Sequence, residues 1–86
     1  MKSFTTPDFW TSYAALPPEI KSRARISYRL WKKDRRHPSL RFKKVGHVWS
    51  VRIGSGYRAL AVLEGDAIYW SWIGDHDEYL RLIGAL

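Results

Sequence analysis

Residues 48 to 79 read VWSVRIGSGYRALAVLEGDAIYWSWIGDHDEY, and this stretch decides the fold. Apolar and polar residues alternate through segments rich in Val, Ile, Trp and Tyr, as in half-buried strands. Gly54-Ser55-Gly56 and Gly65-Asp66 interrupt them at hairpin spacing, with glycine supplying the positive φ that tight turns need. The pattern predicts a three-stranded meander running into a helix.

Loop length sets the register. A three-residue loop at Gly54 to Gly56 places Ile53 opposite Tyr57, Arg52 opposite Arg58 and Val51 opposite Ala59. A two-residue loop at Gly65-Asp66 places Leu63 opposite Ile68, Ala61 opposite Trp70 and Ala59 opposite Trp72. One face then carries Trp49, Val51, Ile53, Tyr57, Ala59, Ala61, Leu63, Ile68, Trp70 and Trp72, a core in which the alanines make room for large neighbours. The other face carries Ser50, Arg52, Arg58, Leu60, Val62, Tyr69, Ser71 and Ile73. Like charges directly opposed weaken a sheet, so the Arg52–Arg58 pair calls for an anion. That anion is either a ligand or the acids Asp75, Asp77 and Glu78 further along the chain.

The chain has 86 residues, one domain spanning 1–86, and its five Trp, five Tyr and three Phe must supply most of a small core. Without cysteine there is no disulfide or thiolate site, and the three histidines are scattered, so neither a metal nor a cofactor is expected. A net charge of +7 points to a polyanionic partner, either nucleic acid or an acidic protein. No apolar run reaches the roughly 20 residues of a membrane span and no signal-peptide core is visible, so a cytoplasmic protein with no membrane partner is expected.

Around the meander, Lys2 to Thr6 suits a short strand. Thr6-Pro7-Asp8 starts a helix whose Phe9, Trp10, Tyr13 and Leu16 share one side, and Leu16-Pro17-Pro18 ends it. Pro18 and Glu19 open a second helix that carries Ile20, Ala24, Ser27, Leu30 and Trp31 on one side. Lys21, Arg25, Arg29, Lys32, Lys33 and Arg36 line its back, a solvated face or a nucleic-acid surface, before His37-Pro38 stops it. Leu40 to Val45 alternates as a strand, with Arg41 and Lys43 on one face and Leu40, Phe42 and Lys44 on the other. Lys43 and Lys44 either guard a sheet edge or contact phosphate. Asp75 caps a last helix through Tyr79, Leu80, Leu82 and Ile83, with Glu78 three residues on, and the start of that helix brings His76 near Arg58. The fold class is α+β in the order β-α-α-β-β-β(-α), an antiparallel sheet with an N-terminal helical hairpin on one face.

This order, with WSVRIGSGYRA at Trp49 to Ala59 and YWSWIGDHDEY at Tyr69 to Tyr79, resembles the RelE/ParE toxin superfamily of type II toxin–antitoxin modules. The likeness spans nearly the whole chain and is strongest from Pro38 to Leu82. Arg58 matches the arginine of the family's Gly-Tyr-Arg that in the RNA-cleaving members contacts the scissile phosphate, and Arg52 matches a basic position on the preceding strand. Ser50 stands where RelE has a second lysine. His76 stands where RelE has an arginine and where the histidine-using YafQ-like mRNA interferases have their catalytic histidine, while Tyr79 lies earlier in its helix than the RelE tyrosine. The resemblance implies catalytic roles for Arg52, Arg58, His76 and Tyr79, with Lys43, Lys44, Ser50 and Tyr69 as substrate-binding candidates.

Metal-independent RNA cleavage needs a base for the 2′-OH, positive charge on the phosphate and an acid for the departing 5′-oxygen. A histidine beside two arginines supplies those parts, and Tyr79, one helical turn from His76, suits base stacking or hydroxyl positioning. The resemblance therefore implies an mRNA endoribonuclease that acts on the ribosome, inhibits translation and is silenced by an acidic, partly disordered antitoxin in a toxin–antitoxin hetero-oligomer. Two other readings stay open: a ParE-like gyrase inhibitor that acts by binding without catalysis, and a non-toxic orphan domain of the same fold.

Overall fold

The computed structural model describes residues 1–86. Its elements are β1 (Lys2–Thr5), α1 (Pro7–Ala14), α2 (Pro18–Lys33), a 3-10 turn at Pro38–Leu40, β2 (Lys43–Val45), β3 (Val48–Ile53), β4 (Tyr57–Glu64), β5 (Ala67–Asp75) and α3 (His76–Gly84). The five strands form one sheet in the order β1-β5-β4-β3-β2. The meander is antiparallel, and β1 adds a parallel edge against β5 that the hairpin pattern did not reveal.

Local chemistry explains the element ends. Thr6 caps α1, its side chain accepting from the Phe9 N–H at 3.2 Å, and Pro7 opens the helix where a missing donor costs nothing. Asp34 leaves helical conformation at φ −154°, so α2 ends at Lys33, before His37-Pro38. The expected strand from Leu40 is shorter too: Leu40 ends the 3-10 turn, Arg41 is left-handed at φ 45°, and pairing begins only at Lys43.

The β3–β4 register is the expected one, with Ile53 opposite Tyr57, Arg52 opposite Arg58 and Val51 opposite Ala59. The β4–β5 register agrees from Glu64 to Ala61 and then slips. Ala61 faces Trp70, but Leu60 faces Trp72 and Ala59 faces Ile73, a β-bulge that leaves Ser71 unpaired. Two assignments are corrected by that slip. Trp72 moves off the core face and Ile73, expected on the polar face, becomes a core residue only 2% exposed.

Helices α1 and α2 cover one face of the sheet. Trp31 of α2 packs edge-on against Trp70 at 5.3 Å and Phe42 at 5.8 Å, and Trp70 donates to Ser3 Oγ at 3.1 Å. Beyond the last β1 pair at Trp70, α1 takes over the open edge of β5, where the Ile73 N–H donates to Ser12 Oγ at 3.1 Å. Trp10, expected on the buried side of α1, is largely exposed, with its indole donating to Thr5 Oγ1 at 2.8 Å. Helix α3 packs on β4 and β5 from the other face, burying Tyr79 and Leu60 there. No helix is long and apolar enough to cross a membrane.

Candidate functional site

The site is built on one row of the sheet. Arg52 and Arg58 are cross-strand partners on β3 and β4, and Gly74 of β5 completes the row. The hairpin between the arginines turns at Gly54, where φ is +59°. Its backbone also holds their guanidinium groups: Arg52 Nε donates to the Gly54 carbonyl at 2.8 Å, and Arg58 Nη1 to the Tyr57 carbonyl at 2.7 Å.

Neither guanidinium has a carboxylate partner. The acids at the start of α3 do not form the ion-pair network that the sequence left open: Asp75 Oδ1 caps the helix, accepting from the Glu78 N–H at 2.8 Å, and Glu78 pairs with Arg81, the chain's one ion pair. The Glu78 side chain therefore turns along the helix and does not complete a capping box. Arg58 is pushed below the ordinary arginine range by burial first and then by Arg52 and Arg41, while Tyr79 acts the other way. It remains a cation at neutral pH, and an anion over the pair would relieve the repulsion.

The start of α3 delivers the other two candidates. The His76 N–H donates to the Gly56 carbonyl at 2.9 Å, which ties the helix to the β3–β4 loop. Tyr79 lies 5% exposed, its ring centre 5.9 Å from Arg58 Cζ and 5.8 Å from the centre of the His76 ring. Arg52, Arg58, His76 and Tyr79 thus converge at one end of the sheet. The buried Tyr79 ring is placed to position the arginine and the histidine, the former by a cation–π contact.

Of the four residues expected to bind substrate, Lys43 alone is exposed beside the arginine row. Lys43 is exposed on the arginine face, opposite Ser50 and one row away. Lys44 pairs with Trp49 and so projects to the helical side. Ser50 is 2% exposed, on the side where α3 packs. Tyr69 stacks on Phe4 at 5.3 Å, opposite Val62, four residues or roughly 13 Å along the sheet from Arg58.

Two residues near the arginines were not expected there from the sequence. Arg41, in the left-handed turn just before β2, is close enough for its charge to act on Arg58. Strand alternation was no guide to it, because Arg41 lies outside the strand in a left-handed turn. The bulge also brings Trp72 to the arginine face, which regular alternation concealed. The basic back of α2 lies on the far side of the sheet, as does a cleft of about 540 Å³ between the helices and the sheet, lined by Tyr13, Tyr28, Trp31 and Trp70 among others.

A family model described as the ParE-like toxin domain matches residues 18–81. No curated protein sequence matches the chain. Among solved structures, it is similar to the RelB–RelE antitoxin–toxin complex from Methanococcus jannaschii at TM-score 0.73 and 16% identity, over 92% of this chain and 96% of that one. The YoeB/ParE toxin from Agrobacterium tumefaciens superposes at TM-score 0.66 and 16% identity over 88% and 99% of the two chains. The toxin–antitoxin complex RelBE2 from Mycobacterium tuberculosis does so at 0.61 and 17% over 87% and 90%. These TM-scores show a common fold, in agreement with the resemblance read from the sequence.

Proposed function

The chain belongs to the ParE-like toxin domain family, and on that premise we propose that it is the toxin of a type II toxin–antitoxin pair, acting as an mRNA endoribonuclease on the ribosome. The observation that carries this reading is the Arg52–Arg58 pair, which faces no carboxylate and has a histidine tied beside it. Such a pair is complementary to a phosphate that gains negative charge in a transition state. The 2′-oxygen of the substrate attacks phosphorus, the bond to the 5′-oxygen breaks, and the proton lost by the 2′-OH is replaced by one on the departing 5′-oxygen. Arg58 and Arg52 stabilise the phosphate, His76 moves the proton, and Tyr79 holds Arg58 and His76 in place. The product carries a 2′,3′-cyclic phosphate, or a 3′-phosphate after hydrolysis.

An acidic, partly disordered antitoxin fits the charge of +7. Two of the similar structures are toxin–antitoxin complexes, which supports a partner of that kind here.

Induced expression of the wild type, His76→Ala and Arg58→Ala tests the reading, with growth, transcript integrity and DNA supercoiling followed together. Growth arrest with cut transcripts is expected from the wild type only. Intact transcripts with disturbed supercoiling would replace the nuclease by a gyrase inhibitor acting through binding. Unimpaired growth would leave a non-toxic domain.

A further inference from the structure

The bulge between β4 and β5 changes what borders the arginine row. Had the strands stayed in step, Trp72 would face Ala59 in the core. Instead it pairs with Leu60 on the arginine face. Bulges next to functional sites re-aim side chains in this way. From Leu60's partner position, Trp72 lies one strand over and two residues along from Arg58, about 8 Å between Cα atoms.

The indole leans further toward the arginines. Gly74 is the residue opposite Arg58, and a Cβ built there would lie 2.9 Å from Trp72 Cη2 and 3.1 Å from Cε2. Any side chain at position 74 would take the space the ring occupies. Trp72 is only partly buried and forms one wall of a groove of about 300 Å³ at the edge of β5, with Ser12, Leu16 and Pro17 on the α1 side and Asp75 and Glu78 at the start of α3.

We propose that Trp72 is a stacking platform for an unpaired nucleobase of the RNA strand whose phosphate lies on Arg52 and Arg58, an inference that rests on the nuclease reading above. Single-stranded RNA is held by aromatic rings that stack its bases while cations hold its backbone. Here the two functions sit within one nucleotide's reach. The bulge exposes the aromatic face, and glycine at position 74 lets it approach the arginines.

The test measures binding of short 2′-O-methyl RNA, which resists cleavage, to the wild type, Trp72→Phe, Trp72→Leu, Gly74→Ala and Arg58→Ala, each with its thermal melt. Phe should bind like Trp, while Leu, apolar without a π face, should bind roughly tenfold more weakly. Gly74→Ala should weaken binding by displacing the indole. An abasic nucleotide at one position should erase the difference between wild type and Trp72→Leu. A Trp72→Leu variant that binds like the wild type while Arg58→Ala does not would overturn this inference and leave the nuclease reading standing. A Trp72→Leu deficit that persists with every abasic oligonucleotide would also overturn it, by showing a structural effect. Absence of RNA binding by the wild type would overturn this inference, and intact transcripts on induction would bring down the nuclease reading with it.

Discussion

Arg58 points its guanidinium at the face of Tyr79, 5.9 Å from Cζ to the ring centre, while the His76 ring lies 5.8 Å from the same centre. Tyr79 is 5% exposed, so a rigid buried ring anchors both groups proposed to do chemistry. Tyr79→Phe keeps the packing and the π face and should leave both stability and RNA cleavage close to wild type. Tyr79→Ala should cost about 3–5 kcal/mol of stability by opening a cavity, and cleavage should fall with it. Urea unfolding and a cleavage assay on both variants check this. A Phe variant as inactive as the Ala variant would make the hydroxyl a chemical participant.

Arg52 and Arg58 face each other without a carboxylate. Arg52→Gln should therefore raise stability by about 0.2–1 kcal/mol, the scale of a direct cross-strand pair, while lowering cleavage. The gain should shrink as salt screens the repulsion, which urea titrations at low and high ionic strength read directly.

The lowered pKa of Arg58 also fixes the sign of its pH linkage. Burial, and then Arg52, disfavours its charged form in the folded protein. That penalty is present wherever Arg58 is protonated and is lifted only as pH rises through its folded pKa, far above neutrality. Stability between pH 6 and pH 8 should therefore be equally pH-dependent in the wild type and Arg58→Gln. Inorganic phosphate should raise the melting temperature of the wild type more than that of Arg58→Gln.

Arg41 is the chain's one non-glycine residue with positive φ, at 45°, between the buried Leu40 and Phe42, which stacks on Trp49 at 4.8 Å. Glycine adopts that conformation without the cost of about 1–2 kcal/mol that a side chain incurs there. Arg41→Gly should therefore be no less stable than the wild type, yet bind RNA more weakly, with a salt dependence shallower by about one phosphate contact. Denaturation and salt-titrated binding separate the two effects.

The Asp75 cap holds the first turn of α3, and with it His76. Asp75→Ala should cost about 1 kcal/mol, with Asn nearly restoring it. Cleavage should follow the same order if the cap serves to place the histidine.

Much of this was legible in the chain. Alternation in Val48–Ile53, Tyr57–Glu64 and Ala67–Trp70, with glycine at the turns, fixed the strands and the Arg52–Arg58 register, because side-chain direction in a strand and turn geometry are local properties. Thr6-Pro7 and Asp75 marked two helix starts for the same reason. Three things were settled only in the folded molecule. Trp70-Ser71-Trp72 continues the alternation, so nothing local reveals that Ser71 drops out of the ladder and turns Trp72 to the arginine face. The acids after Gly74 stand close enough in sequence to pair with the arginines, but the Asp75 cap and the Glu78–Arg81 pair take two of them along the helix, leaving the arginine charges uncompensated. Tyr69 shares the site face by parity yet lies along the sheet against Phe4, because the parallel strand β1 docks there. The sequence by itself determined the elements, their order and the opposed arginines. The tertiary structure decided which neighbours those arginines keep, since a bulge, a helix cap and an edge strand each depend on contacts between segments.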